Sequence, residues 1–282
     1  MTMYQMTDGQ FQTVYNVLSF SLASMMASTV FFWLRMPSIH EKYKAALAIT
    51  SLVTFIAAYH YFRIFNSWTE AYTYLPVNPP WTPKMGTDPV LTGVPFNDAY
   101  RYMDWLLTVP LLLIEIVLCC KLTPEETSSK STRLGVAAAL MVIIGYPGEL
   151  ITDENNLSTR WGYWVGGMIP FAYVVYTLLV GLRNATESEE DPAIAHKLKV
   201  AQWATIISWL TYPIVYIIPM MGVSGASAVV GIQVGYCISD VISKCGVGLI
   251  IYNITLAKSK QMRSAPDGYE SVDGRNAIQI NQ

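Results

Sequence analysis

Charge is what this chain has least of. Of its 282 residues, 13% are Asp, Glu, Lys or Arg and 52% are hydrophobic, whereas a soluble domain is about 25% charged. Cysteine is scarce too. The four (Cys119, Cys120, Cys237 and Cys245) lie in apolar stretches without metal-ligand spacing, which excludes a disulfide framework and a zinc site. Only three histidines are present, and no metal site is expected. The net charge is −2 and no basic stripe is present, so the chain is not read as a nucleic-acid binder. The opening MTMYQMTDGQ has no basic n-region and no cleavage site before the first apolar run, so no cleaved leader is expected.

What is abundant is apolar runs of about 20 residues, the length that crosses a bilayer. Seven are predicted, at 11–34, 43–65, 98–120, 131–151, 159–182, 198–220 and 226–257. The expected fold is an all-α seven-helix membrane bundle over 1–257, with a polar cytoplasmic tail at 258–282 whose composition suits a mobile segment. Residues 66–97 are rich in Pro, Gly and Asn, the composition of a loop with room for a short hairpin. The connections at 35–44, 121–133 and 183–199, together with the tail, hold 13 of the 18 Lys and Arg. That bias puts the N-terminus outside and the C-terminus in the cytoplasm. The protein is thus expected to be a multi-pass protein of the cell membrane, or of an internal membrane if the host is eukaryotic.

Ionisable residues inside such spans are expensive and mark function by default. In RYMDWLLTVPLLLIE the residues Asp104, Thr108 and Glu115 have offsets that fall at about 0°, 40° and 20° around a helix, on one face. Asp104 and Glu115 are then about 16 Å apart along the axis, and Arg101 lies one turn outward. In SDVISK, Asp240 and Lys244 stand at i and i+4 on one face. Asp104 and Asp240 could both flank the Lys244 nitrogen if the third and seventh helices pack together. A structural ion pair between Lys244 and Asp240 is the plain reading. Two more acids and an arginine aligned on one face favour function. A buried amine suits imine formation with an aldehyde. The residues define an imine site and an axial chain of acids, and they do not name the aldehyde.

With these motifs in order, the sequence resembles the microbial rhodopsins over about residues 10–260. RYMDWLLTVPLLLIE, SWLTYPIVY and SDVISK carry the likeness. HYFRIFNSW, GYPGE and MGVSGASA bring it near the proteorhodopsin and xanthorhodopsin-like outward proton pumps. The resemblance implies all-trans retinal held by Lys244 as a protonated Schiff base. Asp104 becomes main counterion and proton acceptor, Asp240 the second counterion, and Glu115 the internal donor, with Thr108 hydrogen-bonded near Asp104. Arg101 balances charge on the outer side. Positive charge beside Asp104 favours its ionised form, and desolvation of Glu115 in LLLIEIV favours its neutral form. Acids in unlike environments divide into acceptor and donor.

The resemblance implies further roles. His60, the only histidine within a span, would bond the counterion as a coupled pair. Trp105, Trp209, Tyr212 and Tyr216 match the retinal cage, though unaided they read as core packing. Pro213 can kink its helix, and in the family that helix moves when the cytoplasmic half opens. Leu112 matches the green-absorbing form. Trp164, with Gly162, Gly166 and Gly167 nearby, stands where antenna-carrying members have a glycine window, so no carotenoid antenna is expected. The last outer connection, MMGVSGASAVVGIQVGY, has no carboxylate, so the paired-glutamate release group of the haloarchaeal pumps is absent there. Glu149 is a candidate outer contact, and Glu70 reads as a solvated loop charge. Family members are commonly pentamers or trimers, which implies a homo-oligomer.

The alternative class is a photosensor signalling to a partner, and Glu115 disfavours it because sensors often lack the donor acid. A chloride pump would usually have a neutral residue at 104, and sodium pumps carry Asn, Asp and Gln at 104, 108 and 115. The Asn156-Leu157-Ser158 sequon matters only on a secretory route.

Overall fold

The computed structural model describes residues 3–75, 88–151 and 156–264. Seven helical rods account for most of them: α1 Asp8–Arg35, α2 Glu41–Ala71, α3 Ala99–Cys119, α4 Pro124–Glu149, α5 Leu157–Glu187, α6 Pro192–Tyr216 and α7 Gly225–Ser264. Most outrun the apolar stretches read from the sequence: α1, α4 and α6 because polar caps start them earlier, α2, α5 and α7 because their last turns run on through polar residues. Thr7 and Thr123 each form a capping box, with Gln10 and Glu126 respectively, and Pro124 occupies the first turn of α4. Asp191 caps α6 by accepting the Ala193 N–H, again with a proline in the first turn. This is why α4 and α6 begin at 124 and 192 rather than at 131 and 198. After Tyr216 the chain tightens into a 3₁₀ turn, Ile218–Met221, and Gly222 takes φ 86°, a left-handed conformation suited to glycine.

The helices form a closed ring. Each packs on the next, and α7 returns to α1 while also touching α2, α3 and α6. Six of the seven are long and apolar enough to cross a membrane by length and composition, and α6 is not among them. It carries His196, Lys197, Lys199 and Gln202 in its first half, and Gln202, Thr205 and Ser208 are buried inside the ring. In the expected hairpin region Tyr72–Thr73 (β1) pairs antiparallel with Val90–Leu91 (β2). Residues 76–87 of that loop, and 265–282 of the expected tail, lie outside the described residues.

Burial is inverted relative to a soluble domain. Phe20, Trp33, Phe55, Ile169, Ile207 and Ile214 are exposed, while Arg101, Asp104, Glu115, Asp240 and Lys244 are buried. An apolar exterior is stable in lipid, and helices satisfy their own backbone hydrogen bonds there. This is a multi-pass integral membrane protein, with its polar groups gathered on the ring axis.

Candidate functional site

α3 and α7 build the centre of the ring. On α3, Arg101, Asp104, Thr108 and Glu115 are all buried, as one helical face turned inward requires. On α7 the regular helix gives way to one π turn, Val241–Gly246, that contains Lys244. Such wide turns re-aim side chains and are frequent at functional sites.

Lys244 Nζ is ion-paired to both acids. It contacts Asp240 Oδ1 directly and lies 3.1 Å from Asp104 Oδ2. The two carboxylates are not equivalent. Asp240 also accepts hydrogen bonds from Tyr212 Oη (2.6 Å), Tyr61 Oη (2.7 Å) and Trp105 Nε1 (3.1 Å), and Arg101 Nη1 lies 3.8 Å away. Asp104 has no hydrogen-bond donor among the described residues besides its Lys244 ion pair. A proton arriving at Asp240 would displace established donors, whereas Asp104 has lone pairs to spare. Thr108 Oγ1 donates to the Asp104 main-chain oxygen at 2.8 Å, bracing the backbone and leaving the carboxylate untouched.

Arg101 is held in place rather than loose. Its guanidinium donates to Asp98 (3.3 Å), Tyr61 Oη (3.1 Å) and Gln233 Oε1 (2.6 Å). The expected bond from His60 to Asp104 is not formed. His60 is buried on α2, its ring set edge-on to Tyr59, and its Nδ1 has no partner among the described residues. The Asp104 carboxylate is turned instead toward α7, where Lys244 meets it.

Glu115, fully buried, sits on the other side of Lys244 from Arg101. Its partner is Thr50 of α2: Thr50 Oγ1 lies 2.8 Å from Glu115 Oε2 and 3.1 Å from the Ala46 carbonyl. A hydroxyl has one proton and can donate to only one of them. Both bonds form together when a neutral Glu115 donates to Thr50, which in turn donates to Ala46. Glycine is required close by, since a Cβ on Gly248 would lie 2.8 Å from Thr50 Cγ2.

An apolar cavity lies between α3, α4, α5, α6 and α7, walled almost wholly by aromatic and aliphatic side chains, the lining expected of a small-molecule site. Trp105, Leu112, Trp209, Tyr212 and Tyr216 all line it, as does Trp164, whose Nε1 donates to the Pro213 carbonyl at 3.1 Å and ties α5 to α6. Trp105 and Tyr212 are the wall nearest Lys244, since both also bond Asp240. A primary amine between two acids, beside an apolar aromatic cavity, fits a long apolar aldehyde such as retinal. Among the described residues no cluster of His, Cys, Asp or Glu is placed to hold a metal.

Sequence reading missed several members of this site. Thr50 sits on α2 outside any motif, Tyr61 and Tyr102 stand within HYFRIFNSW and RYMDW without having been singled out, and Tyr236 completes the aromatic wall with Tyr102. Glu149 is more than an outer contact: it is buried and pairs with Arg160 at 3.1 Å, with Tyr102 and Tyr236 hydroxyls 3.4 and 3.3 Å away. Arg160 also donates to the Gly148, Glu149, Ile151 and Tyr216 carbonyls. The only hint was that Glu149 closes the GYPGE run, and nothing local marked Arg160 as its partner.

Residues 12–258 match the family described as bacteriorhodopsin-like protein. The green-light absorbing proteorhodopsin of Gamma-proteobacterium EBAC31A08 is 29% identical over 247 residues, covering 87% of this chain and 88% of its own. Archaerhodopsin-3 of Halorubrum sodomense is 29% identical over 249 residues, covering 86% of this chain and 85% of its own. Among solved structures, xanthorhodopsin, described as a light-driven ion pump with dual chromophore, superposes with a TM-score of 0.83 at 40% identity. It covers 93% of this chain and 99% of its own. A thermophilic rhodopsin gives a TM-score of 0.83 at 38% identity, with 93% and 99% covered.

Proposed function

Because the chain belongs to the bacteriorhodopsin-like family and is a microbial rhodopsin, we propose that it is a light-driven outward proton pump. The observation that carries this reading is the unequal pair of acids at Lys244: Asp240 engaged by several further donors, Asp104 engaged, among the described residues, by Lys244 alone. Lys244 would hold retinal, which would supply light absorption and the change of shape on which the cycle depends.

The chain's own groups do the rest. Asp240, fixed by Tyr61, Tyr212 and Trp105, remains the counter-charge. Asp104 accepts the proton leaving the Lys244 nitrogen, and Arg101 stands between it and the outer end. Glu115, through its bond with Thr50, stores the proton that returns to that nitrogen. The end rich in Lys and Arg faces the cytoplasm, so Glu115 is refilled from there and Asp104 empties outward. Leu112 in the cavity wall supports green absorption, and Trp164 closing the wall supports the absence of a carotenoid antenna.

The test is light-driven pH change in cells expressing the protein with added retinal, beside Asp104→Asn and Glu115→Gln. External acidification abolished by a protonophore and by Asp104→Asn, with a slowed cycle in Glu115→Gln, is the expected outcome. A coloured protein that moves no protons would replace the pump by a sensor. No visible band with retinal would remove the mechanism.

A further inference from the structure

Glu115 is sealed from the end at which it must be refilled. Ala46, Cys119, Leu198 and Ile254, all 0–1% exposed, belong to one apolar cluster, and Cys119 lies one turn from Glu115 toward that end. Above this plug sits an ion pair that the pump mechanism has not used. Lys258 of α7 and Glu189 of the α5–α6 connection meet at 2.5 Å, with side chains only 4% and 5% exposed. Lys258 also lies 5.7 Å from the centre of the Tyr43 ring of α2. Ile254 of the plug and Lys258 stand at i and i+4 on one face of α7, so the pair lies one turn beyond the plug toward the cytoplasmic end.

The neighbouring acid, Glu190, pairs with Lys121 at 2.7 Å, but both groups are more than half exposed, and such surface pairs contribute little. A buried pair is different, because removing one partner leaves an unpaired charge in a dry site. The Glu189–Lys258 contact therefore holds the α5–α6 connection down on α7 and α2, across the mouth of the bundle.

We propose that Glu189 and Lys258 form the latch that closes the cytoplasmic proton entry to Glu115, and that each cycle breaks it. The proposal rests on the proton-pump reading above. Both residues are positioning residues: neither touches the Lys244 nitrogen or its acids, and the latch sets when Glu115 is refilled, not how it gives up its proton.

Glu189→Gln and Lys258→Gln test it by flash photolysis with a pH-indicating dye in the medium. Transfer from Glu115 to the Lys244 nitrogen stays near the wild-type rate. Uptake from the medium accelerates about tenfold, the equivalent of about 1.4 kcal/mol of barrier. The charge-swapped double variant, Glu189→Lys with Lys258→Glu, returns uptake toward wild type, which a general loss of stability would not do. A second measurement needs neither light nor colour. In a Cys120→Ser background, labelling of Cys119 in the dark by a water-soluble maleimide rises several-fold in the single variants. Uptake that is unchanged or slower overturns the latch, as does Cys119 labelling that stays at the wild-type level. A wild-type protein without a light-driven proton signal removes the pump reading instead, and the dark labelling still decides whether the pair closes that end.

Discussion

Arg160→Met puts the buried outer pair to a quantitative test. The Arg160 guanidinium is 1% exposed and donates to the carbonyls of Gly148, Glu149, Ile151 and Tyr216 and to Glu149 Oε2. Methionine replaces most of the stem but none of the donors. The Glu149 carboxylate would keep only the longer Tyr102 and Tyr236 contacts, at 3.4 and 3.3 Å. Removing one member of a buried pair costs about 3–5 kcal/mol. At about 2–4 °C per kcal/mol for a domain approaching this size, that is a drop of roughly 6–20 °C in the midpoint. The readout is loss of the visible band on heating at one fixed scan rate, since membrane pigments bleach irreversibly. Adding Glu149→Gln to Arg160→Met removes the stranded charge and recovers part of the loss. A single variant that melts within about 2 °C of wild type, or a double variant no better than the single, would refute the reasoning.

Other substitutions probe separate contacts. Thr50→Val deprives a neutral Glu115 of its acceptor, so donation to the Lys244 nitrogen quickens and refilling slows. A hydrogen bond worth about 0.5–1.5 kcal/mol makes each change roughly two- to tenfold by flash photolysis, and unchanged rates would sink the one-proton argument. Gly148→Ala places a Cβ 2.0 Å from Tyr216 Oη and 2.6 Å from Tyr163 Cβ, so the Tyr216 wall of the cavity shifts. A moved absorption band and lower thermal stability are expected, and a band identical to wild type would contradict the packing. Trp164→Gly removes an indole that lines the cavity and bonds Pro213. Energy transfer from an added carotenoid, read from the excitation spectrum, should appear in this variant and not in wild type.

Local pattern and tertiary packing divide this protein between them. The class, the spans and the central residues were legible because they depend on short-range rules. Apolar runs of membrane length mark the helices, and the 100° helical step puts Asp104, Thr108 and Glu115 on one face. A single lysine deep in a span is conspicuous by its cost. Caps such as Thr123-Pro124 and Asp191-Pro192 were also written locally, though their polar turns lay beyond the apolar runs used to bound the helices. What the sequence could not declare were partners from different helices: Tyr61 with Asp240, Thr50 with Glu115, Arg160 with Glu149, Lys258 with Glu189. The unformed His60–Asp104 bond belongs with these. Periodicity says which face of a helix is polar, but which group that face meets depends on helix rotation and depth within the ring. Those are settled only when all seven helices pack together, because no pairwise contact is strong enough to set them alone.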